Sequence, residues 1–419
     1  MKSKIISIGD EILIGQIINT NAAYIGEKLF SAGFPVDRTV VIGDEEQILL
    51  DELKDSTENY DITIITGGLG PTHDDITKPT LVKFFNDRLE TDNKVLEHVK
   101  NIFSSRNINM PEVNIAQALV PSKSKVIWNA NGTAPGLMFD LNEKIIIAIP
   151  GVPFEMKDLI NNEIIPLLKK KFEKKFEKVF LHKTLLTTGS GESSLNEMLG
   201  NVKEFIGNSK LAFLPSATGV RLRINAEGNS ISDAEKKISA IEKIIRSKIQ
   251  DYIFGENDDD LETVIGRILR ERKKTLSVAE SCTGGKISSR IVSVPGSSEY
   301  YIGGVCVYSN IEKIKLLNIK EGTLSKYGAV SEETAIEMAV GVREIMKTDY
   351  SISTTGIAGP SGGTDKKPVG LVWIGFSSNE KTFAMSFLFG EERQRNIERA
   401  SQRALEILRR ELLNIKLIF

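Results

Sequence analysis

Short apolar runs alternate with amphipathic stretches along most of this chain, which restricts the fold to α/β designs built on parallel sheets. Residues 4–8, 36–42 and 61–66 read as strands, with helices over 21–32 and near 45–56 between them. A further strand signal at 144–149 runs into Pro150-Gly151. Residues 261–419 repeat the pattern without repeating the sequence. An amphipathic helix opens on Leu261, Val264, Ile265, Ile268 and Leu269, and strands follow at 276–279, 304–308, 351–354 and 371–376. Between these two regions lies a smaller α+β module. There Val220, Leu222 and Ile224 alternate with Arg221, Arg223 and Asn225 at strand period. Ser232 and Glu235 form a capping box ahead of the helical stripe Ala234, Ile238, Ile241 and Ile245.

A length of 419 residues suits about three domains. The expected division is an α/β domain over 1–168, a small α+β domain over 169–256 and a second α/β domain over 257–419. The charge-rich stretch 169–178 reads as a solvated helix end entering a linker. The polar break Gly255-Glu256-Asn257-Asp258-Asp259-Asp260 marks the second boundary. With 54 Lys+Arg against 56 Asp+Glu, the net charge of −2 weighs against direct nucleic-acid binding. Cys282 and Cys306 are too few for a disulfide framework or a cysteine-rich zinc site, and a reduced cytoplasmic setting is expected. No apolar stretch approaches the ~18 residues of a membrane span, and the first ten residues do not read as a signal peptide.

Two loops fall at the carboxyl ends of expected parallel strands, where open α/β sheets bind ligands. They are Gly9-Asp10-Glu11-Ile12-Leu13-Ile14-Gly15 and Thr66-Gly67-Gly68-Leu69-Gly70-Pro71-Thr72-His73-Asp74-Asp75. Glycines let a backbone approach a phosphate, and the amides of a following helix can cradle it. Carboxylates beside such a loop suit Mg²⁺, which bridges protein and phosphate oxygens. Neither loop is a Walker A or dinucleotide fingerprint. A tight turn capped by Asp74 or Asp75 would explain one such loop; two on one sheet edge favour a binding site.

In the last domain Ser281, Cys282 and Thr283 stand at a strand-to-helix turn, where a nucleophile is exposed and helix amides can receive an anion. An N-cap at Ser281 or Thr283, or a small buried Cys282, would be the purely structural role. All three histidines, His73, His98 and His182, precede this domain, so a base within it must be a lysine or a tyrosine. Tyr308 and Lys313 follow the next strand. Lys313 would act as a base only if burial or a nearby cation lowered its pKa. A third loop, Thr354-Thr355-Gly356-Ile357-Ala358-Gly359-Pro360-Ser361-Gly362-Gly363, suits close backbone contact with a phosphate or a flat ring.

The run from Gly67 to Thr77, with Gly132-Thr133-Ala134-Pro135-Gly136 and Pro150-Gly151-Val152-Pro153-Phe154-Glu155-Met156, resembles the molybdopterin-binding fold in the form found in the CinA family. The segments around Ser281, Lys313 and Gly356, with Lys367-Pro368-Val369-Gly370-Leu371-Val372-Trp373, resemble that family's nicotinamide-mononucleotide deamidase domain. The middle module resembles the KH-type domain between them. It lacks the Gly-x-x-Gly loop of RNA-binding KH domains and is read as a spacer or dimerisation element.

The resemblance implies a bifunctional hydrolase of pyridine-nucleotide salvage. One activity converts nicotinamide mononucleotide to nicotinic acid mononucleotide and ammonia; the other is a metal-dependent ADP-ribose pyrophosphatase that yields AMP and ribose 5-phosphate. It implies Ser281 as nucleophile and Lys313 as base, with Tyr308 bridging them and oxyanion amides near Thr283 and Gly284. Gly285, Asn310, Gly356, Ala358 and Gly359 would contact the substrate. Arg393 would take its phosphate, with Arg399 as second choice, although Gly390-Glu391-Glu392-Arg393 departs from the family's Gly-Asp-Arg. In the first domain Gly67, Gly68, Gly70 and Thr72 would hold the pyrophosphate, and Asn129 and Thr133 the nucleoside end. Asp10, Asp74 and Asp75 would bind a divalent metal such as Mg²⁺, with a monovalent cation as a further candidate; the deamidase site needs no cofactor. The expected partners are small nucleotides, with neither membrane nor nucleic acid, in a homodimer. The alternatives are a first domain that binds or adenylylates a pterin, and a non-catalytic accessory protein for DNA uptake or recombination.

Overall fold

The computed structural model describes residues 1–72, 74–173 and 179–417. His73 and the 174–178 part of the charge-rich stretch lie outside the described residues. The chain divides into two compact units, Met1–Leu181 with Glu227–Glu235, and His182–Ala226 with Lys236–Phe419.

The first unit contains β1 (Ser3–Ile8), β2 (Val36–Ile42), β3 (Ile62–Thr66), β4 (Leu89–Thr91), β5 (Leu119–Pro121), β6 (Lys125–Ile127), β7 (Gly136–Leu141) and β8 (Lys144–Ile149). Six of them form one sheet in the order β2-β1-β3-β8-β7-β6, and β4 pairs with β5 separately. β1, β2, β3 and β8 are parallel, as expected, but β7 runs antiparallel to β8, and β6 antiparallel to β7. The reason is local. Leu141 pairs with Lys144 across a tight turn in which Asn142 has φ 66°, and strands joined so closely can only run antiparallel. Every residue of β1 and β3 is buried, which explains apolar runs without alternation. One face packs Ile5, Ile64 and Ile147 with Ile25 and Leu29 of the helix Thr20–Ser31. The other packs Ile6, Ile65 and Ile146 with Leu49 and Leu53 of the helix Glu46–Asn59. Each such side chain contributes about 1.5–3 kcal/mol by leaving water. The carboxyl ends of β1, β3 and β8 deliver Gly9, Gly67 and Pro150-Gly151 to one sheet edge.

The small module is a sheet of β9 (Val179–Thr187), β10 (Lys210–Ser216), β11 (Gly219–Gly228) and β12 (Ile253–Glu256), in the order β10-β11-β9-β12, with the helix Ile231–Ile249. The expected alternation in β11 holds, with Val220, Leu222 and Ile224 buried. The capping box sits earlier than expected. Ser230 Oγ accepts from the Asp233 amide at 3.1 Å, and the Asp233 carboxylate accepts from the Asn229 amide at 3.0 Å. Ser232 and Glu235 therefore lie inside the helix, while Ala234, Ile238, Ile241 and Ile245 are buried as expected.

The second unit's larger sheet contains β13 (Leu276–Glu280), β14 (Tyr301–Cys306), β15 (Tyr350–Gly356), β16 (Leu371–Ser378) and β17 (Thr382–Leu388), in the order β14-β13-β15-β16-β17. β13 is parallel to both neighbours, whereas β16 and β17 run antiparallel. β14 ends at Cys306, so Tyr308 is not a strand residue. Leu276, Val278, Ile352 and Phe376 pack with Ala404, Leu405 and Leu408 of the helix Arg393–Leu413. Ala279 packs with Met338 and Val342 of the helix Glu332–Met346. No described helix is long and apolar enough to cross a membrane.

Candidate active site

Successive residues of a strand point to opposite faces, and the end of β13 uses this. Glu280 is 1% exposed, and its carboxylate accepts from Thr283 Oγ1 (2.7 Å), the Ile287 amide (3.0 Å), the Ser288 amide (2.8 Å) and Ser288 Oγ (2.7 Å). It thereby ties the strand end to the start of the helix Lys286–Val292. Thr283 Oγ1 also meets Thr354 Oγ1 at 2.7 Å, and the Ser281 amide donates to the Thr354 carbonyl at 3.0 Å. Between strand and helix, Gly284 and Gly285 take φ of 61° and 91°, a region that side chains with a Cβ disfavour. The turn thus fixes Ser281 from both sides.

Lys313 arrives from the helix Asn310–Leu317, whose first turn is capped by Ser309 Oγ accepting from the Glu312 amide at 3.2 Å. Its side chain turns inward and is 1% exposed. Nζ donates to Ser281 Oγ at 3.1 Å, to the Val307 carbonyl at 2.9 Å and to the Tyr308 carbonyl at 3.2 Å. Among the described residues, no carboxylate forms an ion pair with it. Burial pushes its pKa below the ordinary lysine value. The Cys282 thiol is buried and pushed up to about 12, chiefly by that burial, so it is a packed side chain rather than a thiolate nucleophile.

The expected bridge through Tyr308 is not formed. Lys313 reaches Ser281 directly, and Tyr308 meets Lys313 only through its backbone carbonyl. Its exposed phenol instead accepts from Arg393 Nη2 at 3.4 Å. Arg393 Nη1 donates to the Gly359 carbonyl at 3.0 Å, which brings Tyr308, Gly359 and Arg393 together. Arg399 is elsewhere, lining a separate cavity with Gly189, Phe389 and Arg403. Asn310 is exposed at the start of its helix. Gly356 ends β15, with the Leu371 carbonyl and Val372 filling the space a Cβ would need. Ala358 is buried, and its carbonyl accepts from Asn396 Nδ2 at 2.9 Å. Asn396, absent from the sequence-based set, also bonds both the carbonyl and the amide of Gly390, so it clamps the 356–363 loop to the turn before Arg393. Glu280 was missed as well. Its place beside the nucleophile was visible, but its bonds were not.

In the first unit the glycine loops line a cleft of about 520 Å³ together with Asn21, Thr133, Asp44, Asp74 and Asp75. Gly67, Gly68 and Gly70 all face it. Asp75 has turned toward its own loop, accepting from the Gly70 amide (2.7 Å), the Thr72 amide (2.8 Å) and Thr72 Oγ1 (2.5 Å). Thr72 and Asp75 are therefore scaffold rather than free phosphate and metal ligands. Asn129 is likewise committed. Its Nδ2 donates to the Ala134 carbonyl (2.8 Å) and Glu155 (2.7 Å), and its Oδ1 accepts from the Asn131 and Gly132 amides. Asp10 and Asp44 face each other, each carboxylate accepting from the other's amide at 3.4 and 3.2 Å. Burial and the charges of Asp10, Glu11 and Asp74 hold the Asp44 carboxyl above its usual range. Among the described residues, no three acidic, histidine or cysteine side chains converge as a metal cage, so Asp10, Asp74 and Asp75 do not form one set. Crowded carboxylates with an unrelieved charge still fit a cation such as Mg²⁺, which keeps waters and shares its sphere with ligand phosphates. Asp44 is the acid the sequence reading missed.

Comparison with known proteins agrees with this anatomy. Residues 258–412 match the CinA C-terminal domain, 182–255 the damage-inducible protein CinA KH domain, and 4–170 the family described as "Probable molybdopterin binding domain". A CinA-like protein of Chloroherpeton thalassium is 42% identical over 423 residues, covering 99% of this chain and 100% of its own. One of Flavobacterium psychrophilum is 44% identical over 421 residues, covering 99% of each. Among solved structures, a CinA superfamily protein of Klebsiella pneumoniae is 30% identical, with 37% of this chain and 96% of that one matched at a TM-score of 0.36. The full-length relatives and the three matched domains show that the chain belongs to the CinA family.

Proposed function

We propose that the carboxy-terminal site hydrolyses the carboxamide of nicotinamide mononucleotide to nicotinic acid mononucleotide and ammonia. The observation that carries this reading is the 3.1 Å contact between Ser281 Oγ and a buried Lys313 with which no described carboxylate forms an ion pair. Burial lowers the pKa of this lysine, so it loses a proton more readily than a lysine in water, and its free amine can take the serine proton as Oγ attacks the amide carbon. The resulting oxyanion would meet amides of the 281–285 turn. The Gly284 amide closes that turn on the Ser281 carbonyl at 3.2 Å, so the donors would come from the other amides of the turn, such as that of Thr283. Lys313 then gives its proton to the leaving nitrogen, so ammonia departs and an acyl-serine ester remains. Water, deprotonated by the same lysine, hydrolyses the ester and restores Ser281. Arg393, beside Gly359, supplies the charge for the mononucleotide phosphate. Incubating the purified protein with nicotinamide mononucleotide tests the reading. Ammonia and nicotinic acid mononucleotide should appear, and should not with Ser281→Ala.

The neighbouring Asp10 and Asp44, each bonded through its carboxylate to the other's amide, favour a second reading for the first unit, metal-dependent cleavage of ADP-ribose to AMP and ribose 5-phosphate. Asp10 and Asp44 would hold the divalent ion, with water and substrate phosphate oxygens completing its sphere, and the ion would offset phosphate charge and activate water. Gly67, Gly68 and Gly70 give the diphosphate room to approach the backbone, and Asp75 keeps their loop in shape. Incubation with ADP-ribose and Mg²⁺, with AMP as readout, tests it.

A further inference from the structure

The cleft of the first unit contains a polar group that none of the described residues satisfies. Gln117 is 1% exposed and lines the cleft, yet its Oε1 is buried without a hydrogen-bond partner. A buried amide carbonyl left unpaired opposes folding, so a site retaining one has a reason outside the fold. Gln117 is also held in place. Lys78 Nζ donates to the Ala116 carbonyl at 2.9 Å and the Asp92 amide to the Ala118 carbonyl at 2.8 Å, which fixes the backbone on either side of it. On the same cleft Asn21 Oδ1 is buried and unpaired too, while its Nδ2 donates to the Gly151 carbonyl at 2.6 Å. That bond sets which way the Asn21 amide faces, so the cleft offers acceptors.

We infer that Gln117 is a specificity-determining residue of this cleft, taking a hydrogen bond from an N–H or O–H donor on the non-phosphate part of a nucleotide. The inference rests on reading the cleft as a nucleotide-diphosphate site. Phosphate oxygens are acceptors and cannot satisfy a carbonyl, so the partner is either an exocyclic amine of the base or a sugar hydroxyl.

Calorimetric titration of the full chain separates these sources, with EDTA present to prevent turnover. The probes are ADP-ribose, inosine diphosphate ribose, which has a carbonyl in place of the base amine, and ADP, which lacks the terminal ribose. Gln117→Met should weaken ADP-ribose binding at least about tenfold, and Gln117→Glu, which keeps an acceptor, should recover part of the loss. If the base amine is the donor, wild type and Gln117→Met bind inosine diphosphate ribose equally. If the terminal ribose is the donor, they bind ADP equally. Thermal unfolding of Gln117→Met should be no lower than that of the parent, because an orphan carbonyl has been removed. A lower transition with unchanged binding would mean a structural role and would overturn the inference. So would equal binding of all three probes by Gln117→Met and wild type, or no binding of any by wild type. If binding depends on Gln117 but added Mg²⁺ gives no cleavage, the pyrophosphatase reading fails and this one stands.

Discussion

Lys313 Nζ lies 3.1 Å from Ser281 Oγ, and both groups are buried. The serine comes from the end of a central strand and the lysine from a helix beyond the neighbouring strand, so the sheet itself brings the pair together. The Val307 and Tyr308 carbonyls complete the hydrogen bonding of the buried amine, which offsets part of the cost of taking it out of water.

Replacing Ser281 with Ala should lower ammonia release from nicotinamide mononucleotide by at least about a thousandfold, with an unchanged unfolding transition. Cys282→Ala should retain most of the activity, because that thiol is buried and its pKa is pushed up to about 12. The reverse pattern in a steady-state ammonia assay would remove Ser281 as nucleophile.

The pH profile follows from Lys313. Folding lowers its pKa from 10.5, so the free base becomes available at lower pH and kcat/KM should rise with pH through that depressed value. Stability has the same sign. Between the depressed pKa and 10.5 the unfolded chain binds more protons, so this group's contribution to stability increases as pH rises across that window. Lys313→Met should abolish activity and flatten that part of a stability-versus-pH curve; an unchanged curve would contradict the burial argument.

Arg393→Ala should raise KM for nicotinamide mononucleotide about 10- to 100-fold with a smaller change in kcat. Arg399→Ala should leave both parameters near wild type, since Arg399 lines another cavity. Initial-rate kinetics on the two variants would distinguish them.

For the first unit, EDTA should stop ADP-ribose cleavage while ammonia release continues. Asp10→Asn should shift the Mg²⁺ dependence to higher concentration. Asp75→Ala removes the acceptor of three loop donors, so its loss of cleavage should not be recovered by added Mg²⁺. Metal titrations that gave the two variants the same response would show that Asp75 is not a scaffold.

Glu280→Ala removes the acceptor of four hydrogen bonds, two of them from half-buried Ser288, and should destabilise the protein by about 3 kcal/mol in urea unfolding. A loss near zero would mean that solvent reaches these groups.

Much of this could be read in the residues. The strand at Lys144–Ile149 falls where its apolar run places it, since burial on both faces leaves a plain signal, and the edge strand Val36–Ile42 was legible from its β-branched residues although most of it is exposed. Strand direction was not legible at β7 or β16, because side-chain periodicity is the same in either sense. β17 was missed altogether, being an edge strand with a mixed burial pattern. The absence of histidine from its domain left a lysine or a tyrosine as base, and the family resemblance then implied Ser281 with Lys313. Tyr308 was placed wrongly because its strand stops two residues earlier, and beyond a strand end the facing of a side chain depends on the turn. Glu280, Asn396, Asp75 and Asn129 act by tying loops together, and such bonds join segments whose proximity only the folded chain reveals.

Glu280 and Ser281 are consecutive, yet they serve opposite sides of the sheet. Inserting or deleting one residue within Leu276–Glu280 would exchange them, sending an acid into the reaction chamber and a hydroxyl into the helix socket. The length of this short segment is therefore under a constraint separate from the identity of its residues.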